Sequence, residues 1–225
     1  MIGPWIGRRA AAEALGTAFL LAAVVGSGIM AERLSGGNVA LALLANSVAT
    51  GGALIALILT FGPVSGAQLN PAVTLVLAAR GALPWGDAAI FVAVQTIAAI
   101  AGVWLAHLMF GLPLIQSSVH ARTGLGQWVG EFVATFGLIA LILSAIRHNA
   151  AALPYAVAAN ITAAYWFTSS TSFANPAVTV ARSMTDTFAG IGPNDVVGFV
   201  IAQLIGAAAA GALMPRLLAG SEPPQ

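Results

Sequence analysis

Asn70-Pro71-Ala72-Val73-Thr74 and Asn175-Pro176-Ala177-Val178-Thr179 are the same five letters written twice, 175 − 70 = 105 positions apart in a chain of 225 residues. Asparagine is a favoured helix N-cap and proline suits the first helical turn. One copy alone would be no more than a helix start. Two copies, each after a Gly-, Ser- or Thr-rich approach (Ser65-Gly66-Ala67-Gln68-Leu69 and Ser169-Ser170-Thr171-Ser172-Phe173), mark an internal duplication. Other features repeat with them. Glu13-x-x-Gly16-Thr17 answers Glu131-x-x-Ala134-Thr135 at 131 − 13 = 118, and Gln95 answers Gln203 at 203 − 95 = 108.

The surroundings of these motifs are apolar. Hydrophobic residues make up 59% of the chain and charged ones 7%, with a mean hydropathy of +0.94, whereas a soluble domain carries roughly a quarter charged residues. A hydrocarbon layer about 30 Å thick needs about 20 apolar helical residues. That ruler predicts six spans, near 10–31, 39–61, 88–110, 127–146, 151–170 and 195–214. The first follows Arg8 and Arg9 and contains Glu13, so it reads as an uncleaved span and not as a signal peptide. Residues 62–80 and 171–187 are apolar but broken by proline, and a helix from Asn70 to Arg80 would reach only about half of the layer. They are candidate re-entrant segments, which survive at membrane depth only when buried in protein or lining an aqueous cavity.

Three spans per repeat is an odd number, so the second repeat enters the membrane from the opposite side and the repeats are inverted. The short helices then approach from opposite faces and bring their Asn-Pro-Ala ends together near the midplane. The expected fold is all-α and integral to the membrane: six transmembrane helices plus two re-entrant half-helices, one domain over residues 8–216 with repeats 8–112 and 126–216. A short polar tail, 217–225, follows. With both termini in the cytoplasm, Arg8, Arg9, Arg80, Arg147 and Arg216 fall inside and Arg33, Arg122 and Arg182 outside, the arrangement that the positive-inside rule favours.

The paired Asn-Pro-Ala motifs, the Ser65–Thr74 stretch and the acids Glu13 and Glu131 together resemble the aquaporin and aquaglyceroporin family over residues 8–216. That resemblance implies a channel without a cofactor, assembled as a homotetramer in a lipid bilayer, whose asparagines Asn70 and Asn175 aim amide donors into a single-file path. Carbonyls of Gly66, Ala67, Gln68 and Leu69, and of Ser170, Thr171 and Phe173, would supply acceptors along one wall. Each acid would brace a re-entrant loop by accepting backbone hydrogen bonds, against the alternative of a proton relay suggested by an ionisable group inside a span.

Family selectivity is set at a four-residue constriction that usually holds an arginine three positions after the second asparagine, and here that position is Val178. Counted without gaps, the other three are Thr50, Ala163 and Ser172. A filter of Thr, Ala, Ser and Val is wide and carries no cation, which resembles the bacterial aquaglyceroporin branch associated with arsenic resistance. It implies passage of glycerol-like polyols, arsenite or other metalloid hydroxides, small organoarsenicals and water, through a bacterial inner membrane. Arg182, one turn beyond Val178, would face the outer mouth or bind loop carbonyls or Asp186. Gln68 stands where the family commonly has histidine.

Other classes have less to stand on. Eight arginines and seven acids give a net charge of +1 with no basic patch, against a nucleic-acid partner. The absence of cysteine removes thiolate metal sites and a cysteine nucleophile. His107, His120 and His148 lack metal-ligand spacing and are expected at interfaces or in loops, and no acid–base or nucleophile set can be assembled, so no enzyme is expected. Gly198, Ala202, Gly206 and Ala210 recur every four residues, a stripe for close helix contact. A predominantly water-selective pore is the alternative function. A secondary transporter would need titratable groups or ion ligands where the motifs offer asparagines, and a structural membrane protein would keep the fold but conduct nothing.

Overall fold

The computed structural model describes residues 5–219. It is all-helical among those residues: α1 (Ile6–Leu34), α2 (Val39–Ser65), α3 (Pro71–Ala79), α4 (Trp85–Phe110), α5 (Leu125–His148), α6 (Leu153–Phe167), α7 (Pro176–Arg182) and α8 (Val196–Leu218). The order long, long, short, long occurs in α1–α4 and again in α5–α8, with α6 the shortened counterpart of α2. This is the duplicated, inverted arrangement of six spanning helices and two half-helices. Helix α8 runs through Leu218, so the expected tail begins later than 217; residues 220–225 lie outside the described part.

Two boundaries differ from the apolar ruler. Helix α2 continues across Gly62-Pro63 to Ser65 and stops at Gly66, which has the left-handed φ of 92° that ends a helix at low cost. Pro63 removes one backbone donor without ending the helix. The fifth span is the 15-residue α6, preceded by a 3-10 turn over Ala150–Ala152. At 1.5 Å per residue α6 is about 22 Å long, and the other five full helices are long and apolar enough to cross a bilayer without help.

Within each repeat the first and last helices pack face to face, α1 on α4 and α5 on α8, while α2 and α6 meet across the repeats. The close approaches depend on glycine. A Cβ at Gly206 would lie 2.5 Å from the Phe132 carbonyl oxygen of α5, and one at Gly102 of α4 would collide with the Ala18 carbonyl of α1. Small residues that let backbones touch are the usual means of joining helices in lipid, where apolar surface gives no net drive to associate. The outward faces carry large apolar side chains such as Ile97, Trp104 and Ile205, as expected of a protein integral to a membrane. His107 is not in a loop. It is buried at the end of α4, its Nδ1 2.9 Å from the Leu114 carbonyl oxygen and its Nε2 2.8 Å from Thr185 Oγ1, where it ties two loops together.

Candidate functional site

Asn70 and Asn175 cap α3 and α7, each followed by proline at the first helical position. The Asn70 side-chain oxygen accepts from Ala72 N at 2.9 Å, and that of Asn175 from Ala177 N at 3.0 Å and Val178 N at 3.3 Å. Their amide nitrogens cross over: Asn70 Nδ2 donates to the Ala174 carbonyl and Asn175 Nδ2 to the Leu69 carbonyl, both at 2.8 Å. The two half-helices therefore meet amino end to amino end. A side-chain amide has two N–H donors, so one on each asparagine remains for whatever passes.

The approaches to the caps are bent in a way that ordinary residues resist. Gly66, Ala67 and Leu69 have positive φ, and so do Thr171, Ser172 and Ala174. These sets correspond at the 105-residue offset of the motifs. Five of the six are not glycine, and each such residue costs about 1–2 kcal/mol in the left-handed region. Two fully buried carboxylates hold the loops in that shape. Glu13 Oε1 accepts from Ser65 Oγ at 2.5 Å and Gln68 N at 3.0 Å, and its Oε2 from Leu69 N at 2.7 Å and Gln95 Nε2 at 2.8 Å. Glu131 does the same in the other repeat, Oε1 accepting from Phe173 N at 2.9 Å and Oε2 from Ala174 N at 2.9 Å and Gln203 Nε2 at 2.5 Å.

The glutamines are functional residues that the sequence offered only as a repeated letter. Gln95 Nε2 also donates to Thr74 Oγ1 at 3.0 Å and Gln203 Nε2 to Thr179 Oγ1 at 2.8 Å. Each therefore couples a brace to the half-helix whose approach it holds. The Thr74 and Thr179 hydroxyls in turn donate to the carbonyls of the Asn70 and Asn175 caps, at 3.0 and 2.9 Å.

One cavity follows the line of the two caps. Asn70 and Asn175 line it with Gly66, Ala67, Gln68, Leu69, Phe173 and Ala174, and Leu20, Leu54, Ile58, Leu138, Ile142 and Val157 give it an apolar side. Three of the four expected constriction residues, Thr50, Ser172 and Val178, also line it. Ala163 does not and is corrected here: it is exposed on the outward face of α6, in a shallow groove with Ala159, Thr162 and Trp166. At 100° per residue, position 163 faces away from Ile161 and Tyr165, which do reach the cavity. Tyr165 stands against Thr50, its hydroxyl 3.3 Å from Thr50 Oγ1. Ser170 and Thr171 are corrected likewise, for they lie outside the lining and the Ser170 carbonyl faces Arg122 Nη1 at 3.4 Å. In the second loop Ser172, Phe173 and Ala174 line the cavity, so the wall begins two residues later than the expected acceptors.

Arg182 ends α7, is only 2% exposed and lines the same cavity. Its Nε donates to the Ala189 carbonyl and its guanidinium carbon lies 3.4 Å from the Phe173 ring centroid. It does not pair with Asp186, which accepts from Val119 N at 2.9 Å and sits 3.7 Å from His120. Arg122, from the loop before α5, also approaches Phe173, at 5.2 Å, and donates to the Gly190 carbonyl at 2.8 Å. Burial lowers the pKa of Arg122, opposed by the charge of Glu131. Two residues of the lining each carry a buried polar atom without a hydrogen-bond partner, Gln68 Oε1 and Ser172 Oγ.

Residues 4–165 match the major intrinsic protein family. The chain is 57% identical over 216 residues to "Aquaglyceroporin AqpS" of Rhizobium meliloti (strain 1021), covering 96% of this chain and 92% of that protein. It is 39% identical over 139 residues to "Aquaporin NIP1-4" of Oryza sativa subsp. japonica, covering 59% of this chain and 48% of that one. The fold is similar to the X-ray structure of the aquaglyceroporin from Plasmodium falciparum, with a TM-score of 0.76 at 17% identity, covering 95% and 97% of the two chains.

Proposed function

We propose a solute class for this chain, which belongs to the major intrinsic protein family and is a membrane channel for small solutes, not an enzyme. The solutes are uncharged and rich in hydroxyl groups: glycerol-like polyols, arsenite and other metalloid hydroxides, small organoarsenicals and water. The observation that carries this reading is valine at position 178, lining the cavity beside Thr50 and Ser172 where a narrow water pore has an arginine. A triol and a metalloid trihydroxide present the same surface, hydroxyls around a compact centre. The free N–H of Asn70 and of Asn175 can donate to those hydroxyls while the apolar wall receives the rest. The similarity to a protein named aquaglyceroporin over nearly the whole chain supports the polyol part.

The test is stopped-flow light scattering on proteoliposomes with water, glycerol and arsenite. Glycerol and arsenite permeabilities at least tenfold above those of empty liposomes are expected, by analogy with the barrier a pore removes. Water flux alone would leave the water-selective alternative, and flux that saturates or follows a proton gradient would favour a transporter.

The same geometry predicts that solute flux brings no proton current. The amino ends of α3 and α7 each carry about half a positive charge and meet at the crossed asparagines. A proton current comparable to the glycerol flux, measured with a pH-sensitive dye inside the liposomes, would refute that account of the barrier. We further propose that both termini face the cytoplasm, that Arg182 marks the outer end, and that the channel assembles as a homotetramer in the inner membrane.

A further inference from the structure

We propose that Arg182 is the fixed-charge filter of the pore, set one helical turn beyond Val178, so that size and charge are selected at two separate levels. The proposal rests on reading the cavity as the conduction path.

Arg182 lies four positions after Val178 in α7, a rise of about 6 Å along one face of the helix. Both residues line the cavity. The Arg182 guanidinium is seated from behind, by the Ala189 carbonyl on Nε and by the Phe173 ring. A guanidinium has five donors in a planar fork, and among the described residues only Nε is seen to donate. The terminal nitrogens are left for the lumen. No carboxylate pairs with this charge among the described residues: Asp186 is held by Val119 N, Asp195 by Arg122 N at 2.7 Å, and Glu131 by the backbone of the Phe173 loop. Arg122 adds a second positive charge beside the same ring.

A solute arriving from this end therefore meets a donor fork before it meets the constriction. Cations are repelled there, hydroxyl and oxyanion oxygens are drawn in, and position 178 is free to be small and apolar. An arginine one turn closer to the asparagines would have to do both jobs, at the cost of width.

The chain has no cysteine, so a single Val178→Cys substitution gives a unique thiol that a reagent reaches from this end only by passing Arg182. In proteoliposomes, the reaction rate with a sulfonate-bearing methanethiosulfonate is compared with that of a trimethylammonium-bearing one, and an uncharged methyl reagent confirms that the thiol is reachable. The anionic reagent is expected to react faster by roughly tenfold or more, from one nearby unscreened charge. Adding Arg182→Gln should lower that ratio at least about fivefold and Arg182→Lys should hold it within about twofold, because Lys keeps the charge. An unchanged ratio in Arg182→Gln, with the methyl reagent still reacting, overturns the proposal. Should that double variant not assemble, raising salt from about 10 mM to about 1 M on Val178→Cys alone must collapse the preference, and a salt-independent ratio overturns the proposal equally. Lack of glycerol flux through the unsubstituted protein would sink the solute assignment instead, and leaves the thiol ratio to be judged by itself.

Discussion

Glu131→Ala is expected to yield little or no folded channel, and what folds should unfold more than about 10 °C below the parent protein in a detergent thermal-shift measurement. The substitution strips the acceptor from Phe173 N, Ala174 N and Gln203 Nε2, all buried. Each orphaned donor costs about 1–3 kcal/mol. It also releases a loop in which Thr171, Ser172 and Ala174 sit at positive φ, a shape worth about 1–2 kcal/mol per residue to relax. The three orphaned donors alone cost about 3–9 kcal/mol, which rivals the roughly 5–15 kcal/mol that keeps a typical domain folded. Glutamine is no remedy: its amide nitrogen would have to face a donor, since every hydrogen bond at the site points toward the carboxylate oxygens. Glu13→Ala should behave alike, because Glu13 accepts from four donors, Gln68 N and Leu69 N of the other loop with Ser65 Oγ and Gln95 Nε2 beside it. A variant that unfolds at the parent temperature and loses only a proton-dependent flux would replace bracing with a proton relay.

Those braces were legible because the duplication sets two acids beside two broken segments, and two loops need two acceptors. The meeting of the two asparagine caps followed from the odd number of spans in each repeat, whereas the crossing of each amide onto the opposite loop's carbonyl did not. Helix phase was not legible. Ala163 was reached by counting along an apolar stretch, but the lumenal face of α6 depends on where the helix begins. A 3-10 turn over Ala150–Ala152 leads into it, and Ile161 and Tyr165 face inward instead. The acceptor wall of the second loop was misplaced for a related reason: Ser170 and Thr171 look like part of a polar approach, while the lining there is Ser172, Phe173 and Ala174 and the Thr171 hydroxyl meets Arg122. Gln95 and Gln203 were visible as a repeat, but their partners Thr74 and Thr179 lie on the half-helices, brought within reach only when these fold back into the bundle. Phe173 as the seat of two guanidiniums brings Arg122 of the loop before α5 onto the second re-entrant segment, and no local pattern announces it.

Val178→Arg should convert a pore for bulky hydroxyl solutes into a narrower one: glycerol and arsenite flux should each fall at least about tenfold, a barrier increase of about 1.4 kcal/mol or more, with water flux within about threefold of the parent. Val178 is held in place by the half-helix, its backbone N donating to Asn175 Oδ1 at 3.3 Å, so a new side chain there projects from a fixed point into the space bounded by Thr50, Tyr165 and Ser172. Valine offers that space only methyl groups. Arginine adds a bulky cation with five donors. Water can exchange hydrogen bonds with such a fork in single file, whereas a triol must displace it. Flux through proteoliposomes of matched protein content decides the matter, with thermal stability checked in parallel. A folded Val178→Arg protein with unchanged glycerol flux would mean that position 178 does not bound the stream, and the constriction would then have to be sought at Arg182, where Arg182→Ala should raise the flux of polyols larger than glycerol.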